Sequence, residues 1–135
     1  MEDKNMENIK FVKIEGKVVV NTTPHDINFD IDGEVVTVPK SGVILNAKPE
    51  EIQVGEDLVE TRFVGTPEGE ALIEEIKAQH AASEDAGLTL RIIGSIIAAQ
   101  AYAGEVVAMT PAPGFERVAP AEKRMNPRKF TIYRR

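Results

Sequence analysis

The pattern of a β-hairpin between positions 27 and 38 is the strongest local constraint on the fold of this chain. Apolar and polar residues alternate from Ile27 to Ile31, and a second β-rich run extends from Glu34 to Val38. Asp32-Gly33 lies between the runs and suits the two positive φ angles of a type I′ turn. The pattern therefore predicts two antiparallel strands joined by a tight turn.

The rest of the chain indicates further short strands and two helices. Thr66 can cap a helix that begins at Pro67 and ends between Ala81 and Ala86. We also predict strands within 9–20 and at 43–45, 58–64, 88–93, 105–109 and 129–133, a polar loop at 46–57, and a second helix at 96–103.

These elements add up to an α+β domain with six to eight short strands and two helices, in which the small sheet is mostly antiparallel. Leu88–Met109 has the pattern of one strand–helix–strand unit. We expect residues 1–8 to form a flexible leader and 9–135 a single domain that ends in a basic C-terminal segment, 115–135.

Composition excludes several classes of site. The chain has no Cys, which rules out disulfides, thiolate metal sites, iron–sulfur clusters and a cysteine nucleophile. His25 and His80 are the only histidines, and neither has a partner at metal-ligand spacing. No serine lies in a G-x-S-x-G motif. We therefore predict no metal site and no cofactor, and nucleophilic catalysis has little support in the sequence.

Ser95 precedes the second predicted helix and has two interpretations. Its side chain can cap that helix. Alternatively, the helix start supplies unpaired backbone N–H groups that bind a phosphate.

Charge is distributed unevenly along the chain, whose formal net charge is −6. Residues 1–114 hold 9 basic and 20 acidic side chains, whereas residues 115–135 hold 7 basic and 2 acidic ones. The acidic body disfavours binding to long nucleic acid. The basic segment carries most of the arginines, interleaved with Phe115, Phe130 and Tyr133. Three interpretations follow: the segment binds a small phosphorylated ligand, it docks on the acidic body of its own or a neighbouring subunit, or it is a solvated tail.

The start of the chain is polar and of mixed charge, without the pattern of a secretory signal, and no apolar run is long enough for a membrane span. We therefore expect a cytoplasmic protein that does not contact membranes.

Four motifs, in the same order, resemble a widespread family of small phage proteins with an N-T-T-P-H motif. They are Asn21-Thr22-Thr23-Pro24-His25-Asp26-Ile27, Ser41-Gly42, Thr61-Arg62-Phe63-Val64-Gly65-Thr66, and the block 93–102 continuing into 109–118. The match spans about residues 18–133. Within this family, the chain is similar to the first described class of phage Thoeris anti-defence proteins.

This resemblance implies a non-catalytic sponge that sequesters cyclic ADP-ribose signals made by bacterial TIR proteins. It also implies that the protein can hold the cyclic di- or trinucleotides of related defences such as CBASS. Proteins of this class have an antiparallel sheet with two helices. They form dimers or higher homo-oligomers whose ligand sites lie between subunits.

The resemblance also implies which residues bind the ligand. Arg62, Met109, Thr110 and Arg117 match the family motifs, Arg124 matches more weakly, and Ser95 and Phe115 lie within the same motif blocks. The acidic stretch Ala81–Ala86 and the terminal Arg134-Arg135 depart from the family pattern.

A rival hypothesis describes the chain as a small phage accessory protein that binds a protein partner through its basic C-terminal segment. Isothermal titration with a panel of cyclic nucleotides separates the two hypotheses. An absence of heat, together with a stable protein partner in a pull-down, favours the rival.

The predicted ligand residues provide a first test. Arg62→Ala and Arg117→Ala should each weaken ligand binding by about 1.5–3 kcal/mol, because each removes a charge-assisted hydrogen bond. Isothermal titration calorimetry measures the change. Unchanged affinity in both variants would mean that the site lies elsewhere.

Overall fold

Nine strands and two helices make up the fold in the computed structural model, which describes residues 9–134. The predicted leader, residues 1–8, and Arg135 lie outside the described residues. The strands are β1 (Val12–Ile14), β2 (Lys17–Asn21), β3 (Ile27–Ile31), β4 (Glu34–Val38), β5 (Ala47–Gln53), β6 (Val59–Gly65), β7 (Thr89–Ile93), β8 (Val106–Pro111) and β9 (Met125–Ile132). The helices are α1 (Pro67–Ala81) and α2 (Ile96–Ala101), and a short 3₁₀ turn covers Pro120–Glu122.

Seven strands form the main sheet in the order β1-β2-β7-β8-β9-β3-β4, and β5 pairs with β6 in a separate two-stranded ribbon. The β1–β2, β8–β9 and β3–β4 pairs are antiparallel, whereas β2–β7, β7–β8 and β3–β9 are parallel. The prediction of a mostly antiparallel sheet is corrected to a mixed sheet. The reason is that α2 and other long connections return the chain in the same direction, which a hairpin cannot do.

The predicted turn between β3 and β4 and the predicted cap of α1 are both present in the structure. Asp32 and Gly33 have φ angles of 53° and 91° in the β3–β4 turn, as the predicted hairpin requires. Thr66 caps α1, and its Oγ1 accepts a hydrogen bond from Gly69 N at 2.9 Å.

The segment 43–53 differs from its prediction. Val43–Leu45 is not a strand, and β5 occupies most of the predicted polar loop. The sequence of β5, AKPEEIQ, lacks apolar alternation, so the backbone ladder with β6 gives it its extended structure.

The main sheet buries both of its faces. Neighbouring residues on the central strands enter opposite cores, as Val19 and Val20 on β2 show. One core lies under the helices and contains Ile73 and Ile76 of α1. The other core combines residues of the two edge strands, among them Ile14 of β1 and Val38 of β4, so the sheet is curled around it. Continuous apolar runs such as those of β2 and β8 are typical of parallel strands that are covered on both sides.

Tyr102, at the C-terminal end of α2, links this helix to the β5–β6 ribbon and to the start of α1. Its ring is fully buried, and its hydroxyl accepts a hydrogen bond from Thr66 N at 3.0 Å and donates one to Asn46 O at 2.7 Å. A Cβ at Gly69 would overlap this hydroxyl, and one at Gly65 would lie 2.5 Å from the ring. Both glycines therefore permit the close approach of the tyrosine.

Asn21, Thr22 and Thr23 form a buried polar network at the end of β2. Asn21 Oδ1 accepts hydrogen bonds from Thr23 N and Oγ1 at 2.9 and 2.6 Å, and its Nδ2 donates to the carbonyls of His25 and Val38. Thr22 donates twice to Ile93 O on β7, from N at 2.9 Å and from Oγ1 at 2.7 Å. The network joins the end of β2 to both β7 and β4.

No helix between residues 9 and 134 is long and apolar enough to cross a membrane.

The buried network generates a stability prediction. Asn21→Ala should lower the free energy of unfolding by about 2–4 kcal/mol, because it leaves buried backbone and hydroxyl groups without partners. Urea denaturation monitored by circular dichroism measures this loss. Asn126→Ala, which removes an exposed side-chain cap of Arg128 N, is the matched control and should cost less than 1 kcal/mol. Equal losses in the two variants would contradict the structural role of Asn21.

Candidate ligand-binding site

The basic C-terminal segment folds back onto the acidic body of its own chain. Arg124 Nη1 lies 2.7 Å from Asp30 Oδ1, and it also donates to Gly33 O at 3.3 Å. Arg128 Nε lies 2.7 Å from Glu15 Oε1. Of the alternatives that the sequence leaves open, docking on the same subunit therefore occurs for these two arginines.

Phe115 and Arg124 form a cation–π pair, in which the guanidinium carbon lies 5.0 Å from the ring centroid. A tight turn presents the ring: Gly114 has a φ of 89°, and Phe115 N donates to Ala112 O at 2.9 Å. Ala112 N in turn donates to Arg124 O at 2.9 Å, so the two ends of the 112–124 loop are tied together. The backbone thus holds the ring beside the arginine.

A cavity of about 340 Å³ opens beside this pair. We call it the Phe115 notch; its lining residues are Asn28, Val35, Phe115, Ala121, Glu122, Lys123 and Arg124. Both hydrogen bonds of Arg124 to residues 9–134 use Nη1, so its Nε–Nη2 edge is available to a ligand. An arginine edge of this kind can bind a phosphate through two parallel hydrogen bonds, and an aromatic ring can stack on a base.

The main sheet and its loops hold three further predicted residues, none of which lines the notch. Met109 lies on β8 and packs against the core around Phe29. Thr110 Oγ1 donates to Lys129 O at 2.8 Å, which ties β8 to β9. Ser95 caps α2, and its Oγ accepts a hydrogen bond from Ala98 N at 3.0 Å. The capping interpretation of Ser95 is therefore what the structure shows.

Arg62 and Arg117 are exposed, and neither forms an ion pair within the described part of the chain. Arg62 lies opposite Glu50 on the β5–β6 ribbon, whereas Arg117 follows the Phe115 turn. Of the seven predicted residues, the structure brings Phe115 and Arg124 together, and none of the other five lines the notch.

Sequence reasoning missed Asn28, Val35 and Lys123 as lining residues of the notch. The hairpin pattern does indicate that Asn28 and Asp30 share the face opposite Ile27 and Phe29. It does not indicate which later segment covers that face. The parallel pairing of β3 with β9, which aligns Phe29 with Met125, provides this information.

Both histidines are engaged in local turns. His25 N donates to Thr23 Oγ1 at 3.3 Å, and His80 Nε2 lies 3.0 Å from Asp85 O. Among the described residues, no group of three or more His, Asp or Glu side chains is placed to hold a metal ion.

Comparisons with known proteins do not assign the chain to a family: no protein-family model, no curated protein and no solved structure matches it.

The contacts of Arg124 predict its contribution to stability. Arg124→Gln should lower the free energy of unfolding by about 1–2 kcal/mol, because it removes a partly solvated ion pair and a cation–π contact. Arg117→Gln, which removes an exposed and unpaired charge from the same segment, should change it by less than about 0.5 kcal/mol. Urea denaturation of both variants gives the comparison, and equal effects would contradict the assigned contacts.

Proposed function

We propose that the protein is a cytoplasmic, phage-encoded, non-catalytic sponge for cyclic nucleotide immune signals. The signals are cyclic ADP-ribose isomers and, in the broader form of the proposal, cyclic di- and trinucleotides. The observation that carries the proposal is the pairing of Phe115 with Arg124 at the edge of a cavity. Two residues that the family resemblance implies for ligand binding thus lie side by side with complementary chemistry for a base and a phosphate.

The composition of the notch supports binding rather than catalysis. Its lining residues contribute two cations, one aromatic ring and one carboxylate, Glu122, but no hydroxyl, thiol or imidazole side chain. Nucleophilic catalysis by a serine, threonine, cysteine or histidine needs such a group next to a base. Sequestration needs only an affinity high enough, and a dissociation slow enough, to keep the signal from its receptor.

A second copy of the chain would complete the site. A cavity of about 340 Å³ is at the small end of the range for ligand pockets, so a cyclic dinucleotide would protrude from it. On the ribbon, Ile52, Val54 and Leu58 are 40, 57 and 60% exposed, and the register of β5 and β6 assigns Ile52 and Arg62 to one face. The same face also carries Glu50 and Glu60. A second copy that covered its exposed apolar side chains, Ile52, Val54 and Leu58, would leave Arg62 beside the subunit boundary, where its charge could reach a shared ligand.

The test is isothermal titration of the full chain with cyclic ADP-ribose isomers and with cyclic di- and trinucleotides. Arg124→Gln should weaken binding of the preferred ligand at least tenfold, because it removes both the phosphate donor and the partner of the Phe115 ring. Lys129→Gln is the matched control, since it removes one exposed charge from the same segment outside the notch and should leave the affinity unchanged.

Heat denaturation of the complex then separates a sponge from an enzyme. Chromatography should recover the ligand intact, whereas a cleaved product would contradict sequestration and indicate a hydrolase. If no cyclic nucleotide binds and a protein partner copurifies, the accessory-protein hypothesis replaces this one.

A further inference from the structure

Three basic side chains converge on a second cavity, on the face of the main sheet opposite the helices. This cavity has a volume of about 260 Å³. We call it the sheet-face cavity; its lining residues are Lys17, Arg91, Val107, Arg128, Phe130 and Ile132. None of them belongs to the Phe115 notch or to the residues that the family resemblance implies for ligand binding.

The strand register explains why these side chains meet. Val19 of β2 lies opposite Arg91 of β7, and side chains two residues apart share a face, so Lys17 and Arg91 point the same way. Val107 of β8 lies opposite Ile132 of β9, whose face also carries Phe130. Four adjacent strands, β2, β7, β8 and β9, thus contribute to one surface.

Local contacts hold two of the three cations in position. Arg128 is bound by Glu15 at 2.7 Å and by Asp32 at 3.4 Å, which belong to the turns of the two edge hairpins. Lys17 Nζ donates to Pro127 O at 2.9 Å. No carboxylate lines the cavity itself.

Arg91 is the cation with the fewest competing contacts. Its guanidinium bonds only to its own neighbour, Leu90 O, at 3.3 Å within residues 9–134, and it takes part in no ion pair there. Its donors are therefore open to a ligand in the cavity.

Mutual repulsion among Lys17, Arg91 and Arg128 favours the binding of an anion in the cavity. Burial lowers the pKa of Lys17; Glu15 opposes this shift, while the positive charges of Arg91 and Arg128 reinforce it. A bound anion would offset this mutual repulsion, and apolar walls strengthen its attraction to the cations.

We propose that the sheet-face cavity binds the phosphate or pyrophosphate group of a small anion through Lys17, Arg91 and Arg128, independently of the Phe115 notch. The cavity is smaller than the 300–1,000 Å³ typical of pockets that enclose a whole drug-sized ligand, so it suits this group rather than an entire nucleotide. The ring of Phe130 forms an apolar wall against which a ribose or base attached to that group could pack.

The experiment is isothermal titration of the full chain with sodium pyrophosphate at low ionic strength. Wild-type protein should bind it saturably, and Arg91→Gln should weaken binding at least tenfold. Because Arg91 is exposed and bonds only to Leu90 O among the described residues, this variant should keep the wild-type melting temperature. Arg91→Lys, which retains the charge without the planar fork, should have intermediate affinity.

One control identifies the source of the affinity. Lys129→Gln removes one exposed charge outside the cavity and should bind pyrophosphate as the wild type does. Absence of saturable binding to the wild type would overturn the proposal. An equal loss in Arg91→Gln and Lys129→Gln would also overturn it, because it would indicate general charge attraction.

Parallel titrations with inorganic phosphate and ADP distinguish a free anion from the phosphate end of a nucleotide. Tighter binding of ADP than of pyrophosphate assigns the cavity to a nucleotide, and the reverse assigns it to the free anion. The titrations with cyclic nucleotides test the proposed function of the notch and not the sheet-face cavity. Pyrophosphate binding that persists where no cyclic nucleotide binds would reject the sponge while supporting this site.

Discussion

The buried carboxamide of Asn21 is the contact on which the arrangement of the sheet depends. It lies where β2 leaves the sheet, and its four hydrogen bonds satisfy backbone and hydroxyl groups that would otherwise be buried without partners. The adjacent Thr22 donates two hydrogen bonds, from N and from Oγ1, to Ile93 O at the end of β7. Because an unsatisfied buried polar group costs about 1–3 kcal/mol, this short motif strongly favours one placement of β2 relative to β7 and β4. The Asn21-Thr22-Thr23 motif therefore has a structural explanation that requires no ligand.

The basic C-terminal segment forms ion pairs with the acidic body of the same subunit. Arg124 binds Asp30, and Arg128 connects Glu15 and Asp32, which lie in turns at opposite edges of the main sheet. These ion pairs are partly exposed, so each contributes modestly to stability. Their larger consequence is geometric, because they fix where the remaining cations lie. Arg91 and Arg124 line cavities, whereas Arg62 and Arg117 are exposed to solvent.

Sequence reasoning succeeded where neighbouring residues decide the structure. The Asp32-Gly33 turn, the Thr66 cap and the Ser95 cap are all present, since each depends on contacts within a few residues. It failed for β5, whose sequence has no apolar alternation and whose conformation comes from pairing with β6. Of the residues that line the two cavities, sequence reasoning named Phe115 and Arg124 of the notch as candidates. It did not name Lys17 and Arg91 of the sheet-face cavity, because these lie on different strands and become neighbours only through the parallel pairing of β2 with β7.

The sequence by itself determined the turns, the helix starts, the excess of strands over helices and the absence of cysteine chemistry. Only the tertiary structure decided that the sheet is mixed, which strands the strand of the basic segment pairs with, and which cations remain available to a ligand. Arg124 and Asp30 are 94 residues apart in the chain, and Arg128 and Glu15 are 113 apart. Turn and cap preferences arise from local sterics and hydrogen bonding, which a sequence shows directly. Contacts across such separations depend on strand order and register, which emerge only when the whole chain packs.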